Sequence, residues 1–220
     1  MIEAARLVRL MTWLSPAFPV GGFNYSHGLE QAVDAGPVIA RDSLCAWIET
    51  LLRRGSARTD AILAAASWRA TSDAETLAEI AELAEALAGS AERHAETMNL
   101  GAAFLAASGA WGQTPVHALG PRVAWPVAVG GVAGHAGLAL EPVLTGLLNA
   151  FVTGQTQAAQ RLFALGQSGS VAVHARLEAV IADSAAHAAT TTLDDLGSAA
   201  LNSEIAAMRH ETLQPRIFMT

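Results

Sequence analysis

Cysteine is nearly missing from this chain of 220 residues, which has only Cys45. A lone cysteine excludes an internal disulfide and every cysteine-rich zinc site, and its setting in "LCAWIE" reads as a buried helix residue behaving as a small hydrophobe. Aromatic residues are few, at 5%, and charged residues make up 15%. The apolar share of 52% is mostly alanine and leucine, so strand formers are scarce relative to helix formers and the chain reads as all-α. An excess of positive charge is also missing. Thirteen basic residues face 20 acidic ones, for a net charge of −7, which argues against nucleic acid as a partner, because phosphate affinity comes from Lys and Arg. No clean leader is present either. Glu3, Arg6 and Arg9 interrupt the apolar run of "MIEAARLVRLMTWLS", so the expected location is cytoplasmic.

One stretch, Val123 to Leu140 ("VAWPVAVGGVAGHAGLAL"), is long enough to cross a bilayer. It is built of Gly, Ala and Val around Pro126 and His135, with little Leu, Ile or Phe to drive partitioning. It reads instead as a closely packed interior helix, and no membrane partner is expected.

The length suits one domain spanning 1–220, and apolar periodicity lays out a bundle of roughly eight to ten helices with no substantial sheet. Leu7, Leu10, Met11 and Leu14 recur at helical spacing, and Pro16 stops that helix at Ser15. Leu44, Trp47, Ile48, Leu51 and Leu52 trace one face of a helix from Asp42, with a break expected near Gly55. Ser72 with Glu75 has the capping-box pattern, opening a helix whose stripe is Leu77, Ile80, Leu83, Ala84 and Leu87 and which Gly89 ends. A helix from Ser90 to about Trp111 follows. Pro142 stands in the first turn of a long helix that Gly166 closes, Val171 to about Ala189 forms another, and a short one ends near His210.

The candidates for chemistry are thin. The seven histidines are scattered. His27 and Glu30 stand three apart, a spacing that places two groups on one side of a helix as acid and base or as metal ligands, yet no second pair completes a metal site. His210 and Glu211 carry the "HE" of a zincin, but no histidine stands three residues after Glu211 and Pro215 breaks the required helix. "GGVAGHAG" lacks the dinucleotide spacing, no phosphate-loop lysine exists, and "GQSGS" departs from the nucleophile elbow in its fifth position. No catalytic residue and no metal ligand is assigned, so an interaction protein is favoured over an enzyme.

The stretch "LSPAFPVGGFNYSHGLE", Leu14 to Glu30, resembles the N-terminal signature of the UreF family of urease accessory proteins. There an apolar helix runs into Ser-Pro, then Phe/Leu-Pro-Val/Ile-Gly, an aromatic, and Ser-x-Gly-Leu-Glu, matched here by Ser15, Pro16, Phe18, Pro19, Val20, Gly21, Phe23, Tyr25, Ser26, Gly28, Leu29 and Glu30. "WPVAVGGVAG", "LLNAFVTGQTQAAQRLFALGQSG" and "EIAAMRHETLQPRIFMT" are similar to three further blocks of the family, in the same order. Ser168 replaces the family's usual threonine, Pro215 its serine and Ile217 its leucine. The resemblance implies an all-helical, usually homodimeric scaffold, not itself an enzyme, that joins UreD (also called UreH) and the GTPase UreG to apo-urease. It further implies that the chain binds no cofactor of its own, nickel and GTP being handled by the partner complex.

The two signatures also carry a physical reading. Pro16 and Pro19 stiffen the loop, while Gly21 and Gly22 open backbone angles closed to other residues. Ser26 is placed to cap the next helix and Glu30 to meet its positive end. Phe23 and Tyr25 lie between loop and helix, the alternative for each being a place in the core. In the tail 211–220, Arg216 and Phe218 are anchor-like residues of a segment expected to order on a partner, the alternative being a tail that folds back on its own domain. The partner-binding set is therefore Phe23, Tyr25, Glu30, His210, Glu211, Arg216, Ile217 and Phe218, with Phe23 and Arg216 expected near one another.

Overall fold

Ten α-helices and four short 3-10 turns, with no strand, account for the described residues of the computed structural model, 3–220. The α-helices are α1 (Ala4–Trp13), α2 (Leu29–Asp34), α3 (Arg41–Arg54), α4 (Ser56–Arg69), α5 (Ala74–Ala86), α6 (Ala91–Ser108), α7 (Trp125–His135), α8 (Leu140–Leu162), α9 (Gly166–Ala188) and α10 (Leu201–His210). The all-α expectation holds.

The middle of the bundle is α7. Its residues from Pro126 to Ala133 are buried, so the helix is apolar on every side, as a fully enclosed helix must be. At 11 residues it is too short to span a bilayer, and no helix among the described residues is long and apolar enough to do so. It packs chiefly on α4 and α6. A Cβ added at Gly130 would lie 2.2 Å from the Ala64 carbonyl oxygen, so only glycine allows the two helices to approach this closely. Ser67 locks the seam by donating from Oγ to the Val127 carbonyl at 2.8 Å. Around it, α3, α8 and α9 turn Leu44, Ile48, Leu51, Leu144, Leu148, Val173 and Leu177 into the same core, with Cys45 buried beside them. The Cys45 thiol is pushed above its usual pKa, mainly by burial.

Local sequence rules placed most helix ends. Gly55 separates α3 from α4, Ser90 caps α6 by accepting from the Arg93 amide at 3.2 Å, and Pro142 occupies the first turn of α8. Three ends differ from expectation. The cap of α5 is Asp73, whose carboxylate accepts from the Thr76 amide at 3.1 Å and its hydroxyl at 2.8 Å. Ser72 lies one residue too early, because a carboxylate at position 73 offers the stronger acceptor. Leu87, placed in the buried stripe of α5, is the C-cap and is exposed. Gly166 does not close α8, which ends at Leu162, but begins α9 five residues before Val171. "GQSGS" is a poor helix former read alone, and its continuity with α9 comes from its place in the chain's turn.

Candidate partner-binding surface

The loop from Leu14 to Glu30 crosses the surface and then dives inward. Ser15 Oγ accepts from the Ala17 amide at 3.1 Å, fixing the turn at Pro16, and Gly22–Asn24 forms a 3-10 turn. His27 and Gly28 both adopt the left-handed conformation, at φ 52° and 77°. At Gly28 this is combined with close approach, since a Cβ would stand 2.8 Å from the Ala207 amide nitrogen of α10. Ser26 Oγ accepts from the Glu30 amide at 3.2 Å, but Ser26 is not the cap expected of it: α2 begins at Leu29 and its N-cap is Gly28. The two aromatics part company: Phe23 is 67% exposed, while Tyr25 is buried and its hydroxyl accepts from Asn99 Nδ2 at 3.3 Å.

The tail lies directly along this loop. The Met219 amide donates to the Asn24 carbonyl at 2.8 Å, and the Ser26 amide donates to the Thr220 carbonyl at 2.9 Å, with Ser26 Oγ donating to the same oxygen. Gln155 Nε2 of α8 ties the loop from the other side through the Ser26 carbonyl at 2.9 Å. Phe218 is buried, with the Arg161 guanidinium 4.2 Å from its ring centroid, a cation–π contact. The same Arg161 donates from Nη1 to the Phe23 carbonyl at 2.9 Å. Loop and tail thus meet, with Arg161 joining Phe23 to Phe218, while Arg216 turns away to Glu92. The Gln214–Pro215 peptide is cis.

Two charged clusters lie beneath. In the first, His210 is wholly buried between two carboxylates, its Nδ1 2.7 Å from Glu92 and its Nε2 3.0 Å from Glu30. Glu30 also accepts from the amides of Ile217 at 2.6 Å and Phe218 at 2.9 Å, and Arg216 pairs with Glu92. Glu211 accepts at Oε1 from the Ala91 amide at 2.9 Å, at the first turn of α6. In the second, buried Glu96 binds Arg93 Nη1 at 2.6 Å and His27 Nε2 at 2.8 Å and accepts from Thr220 Oγ1 at 3.0 Å. Asp60 completes it, 3.8 Å from Arg93. Burial alone would raise the Glu96 pKa, but Arg93 and His27 overcome it and hold the carboxyl at about 2. Asp60 goes the other way: burial lifts it, and the more distant Arg93 offsets only part of the rise.

His27 and Glu30 therefore serve different clusters. The pairing as acid and base that their spacing suggested is not formed, because His27 precedes α2 in a left-handed turn and packs against Phe151 instead. Among the described residues no group of three or more His, Cys, Asp or Glu is arranged to hold a metal ion.

The eight residues singled out from the sequence divide into two groups. Phe23, Glu211, Arg216 and Ile217 are exposed. Tyr25, Glu30, His210 and Phe218 are buried. The tail, read as a segment that orders on a partner, packs against its own domain here. Reasoning from sequence missed Arg161, Glu92, Arg93 and Glu96. "AERHAE" reads as an ordinary acidic first turn of a helix, and only the tail's return across α6 turns it inward.

A cleft of about 130 Å³ beside the loop is lined by Trp13, Phe23, Tyr25, Arg93, Glu96 and Phe151 among others.

Known proteins resemble this chain over most of its length. The UreF family model matches residues 38–178. A urease accessory protein UreF 1 from Brucella canis is 52% identical over 212 residues, covering 96% of this chain and 93% of its own length. Proteins named urease accessory protein UreF from Sinorhizobium medicae and Agrobacterium fabrum are 51% and 50% identical over 98% and 97% of this chain, and over 97% and 96% of their own lengths.

Proposed function

The chain belongs to the UreF family of urease accessory proteins, and on that premise we propose that it is a non-enzymatic adaptor for urease maturation. In this reading it links UreD (UreH) and the GTPase UreG to apo-urease, so that nickel enters the urease site. It works in the cytoplasm as a homodimer, adjusts GTP hydrolysis by UreG, and leaves nickel and GTP to its partners. The observation that supports the adaptor reading best is the built surface over the two charged clusters. The loop and tail that carry the family signatures are hydrogen-bonded to each other and present Phe23, Arg216 and Ile217 to solvent. Stiff, pre-ordered apolar and cationic side chains are what interface anchors require, because less freedom is lost on binding.

The competing readings are an enzyme using His27 and Glu30, and a nickel-binding chaperone acting alone. The first loses its geometric basis, since each residue is committed to a separate buried partner. Deleting this chain from urease-producing cells is expected to abolish urease activation, and restoring it to recover activity. Alone, the purified chain should be catalytically silent and bind nickel weakly, and it should alter GTP turnover by UreG when UreD is present. Full urease activity after complete deletion contradicts the proposal.

A further inference from the structure

His210 is wholly buried with a carboxylate at each of its two ring nitrogens. A carboxylate accepts hydrogen bonds and cannot donate them, whereas a neutral imidazole has one N–H and one bare lone pair. Both ring nitrogens of His210 lie within hydrogen-bonding distance of carboxylate oxygens, Nδ1 at 2.7 Å from Glu92 and Nε2 at 3.0 Å from Glu30. Each carboxylate is also held by other donors, Glu30 by the amides of Ile217 and Phe218, and Glu92 by Arg216. Those donors are the partners that a carboxylate oxygen accepts from. A neutral ring would press a lone pair against a carboxylate inside the protein, where an unpaired buried contact is costly.

We propose that His210 is a proton-operated latch for the tail: as a doubly protonated imidazolium it fixes the Glu30 carboxylate on which Ile217 and Phe218 dock, and loss of one ring proton loosens residues 211–220. The groups facing the ring are Glu30 from α2 and Glu92 from α6, with Arg216 of the tail behind Glu92. On α10 itself Arg209 is exposed, and at its C-cap Glu211 is committed to the Ala91 amide. The second cluster touches the tail through Thr220, and its Glu96, held at about 2, stays ionised across the neutral range. Undocking would disperse the exposed Arg216 and Ile217 and so change the surface this segment presents. The inference concerns the chain alone and does not depend on which partners bind it.

The test is nitrogen-15 NMR of the full chain between about pH 5 and 9, which brackets the span of about pH 5 to 8 in which histidine ordinarily changes charge. It follows the His210 ring nitrogens together with solvent exchange at the Ile217 and Phe218 amides. The expected result is a doubly protonated ring wherever those amides are protected. As the ring loses a proton, amide exchange, corrected for its intrinsic pH dependence, should rise at least about tenfold, the effect of losing one charge-assisted hydrogen bond. His210→Gln should remove this pH dependence, and His27→Gln should leave it in place. A neutral ring beside protected amides, or protection that stays constant over the whole range, overturns the proposal. If His210→Gln fails to fold, the titration of the unmodified chain decides alone.

Discussion

The seam between α4 and α7 and the seam between the loop and the tail are both close-packed, and they are built from opposite materials. The first is held by the absence of side chains: Gly130 lets α7 rest against the Ala64 backbone, and one hydroxyl, Ser67, bridges to Val127. The second is held by buried charge, with Glu30, Glu92 and Glu96 each collecting donors from segments far apart in the chain. An apolar seam of this kind has only one way to fit and is indifferent to pH. A charged seam depends on protonation and on every partner being present, since removing one member leaves the others buried and unpaired. The fold uses the first for its centre and the second for the surface proposed to meet other proteins.

That contrast can be broken in order of expected severity. Glu96→Ala leaves Arg93 and His27 without their shared carboxylate, and breaking a buried ion pair costs about 3–5 kcal/mol. Urea unfolding measures it, and a loss below about 1 kcal/mol, the range of exposed pairs, would mean the cluster is solvated and not structural. The same residue gives the charged seam its pH signature. With its folded pKa lowered to about 2 from 4.5, Glu96 contributes stability that is complete above pH 4.5 and disappears as pH falls toward 2. The urea midpoints of the native chain and of Glu96→Gln should therefore converge as the pH falls through that interval.

Gly130→Ala comes next. Its new methyl group would meet the Ala64 carbonyl at 2.2 Å, so a loss of about 1–3 kcal/mol from overpacking is expected, equal at pH 4 and pH 7. A strong pH dependence in that variant would show that the two seams are coupled. Smallest of all is Phe23→Ala. With the side chain 67% exposed, the unfolding free energy should shift by no more than about 0.5 kcal/mol, and differential scanning calorimetry should find the melting transition nearly unmoved.

The apolar half of the molecule was legible because its rules are local. Composition gave the all-α class, Gly55 and Ser90 marked helix boundaries, and the small-residue run from Val123 read correctly as a packed interior helix. The cap at Asp73 was missed by one residue because Ser72 and Glu75 matched a pattern that the neighbouring carboxylate outcompetes. The charged half was legible only in its two signatures. Nothing local tells that Glu92 and Glu96 face inward or that Arg161 in the last turn of α8 stacks on Phe218, because each is an ordinary solvated residue until residues 211–220 return across it. Tyr25 and Phe218 show the same limit. An aromatic beside a loop or in a tail reads equally well as an anchor for a partner or as core, and burial settled both as interior.

The adaptor reading turns on whether the exposed residues of this charged seam touch the partners. The direct measurement is a pull-down of UreD and UreG by the purified chain carrying Phe23→Ala or Arg216→Ala, each checked for an unchanged helical circular dichroism spectrum. The account predicts that both variants stay folded and that retention of UreD falls at least about tenfold, as loss of an interface anchor entails, with UreG recruitment falling alongside. Undiminished retention of both partners by Arg216→Ala and by Phe23→Ala would contradict it.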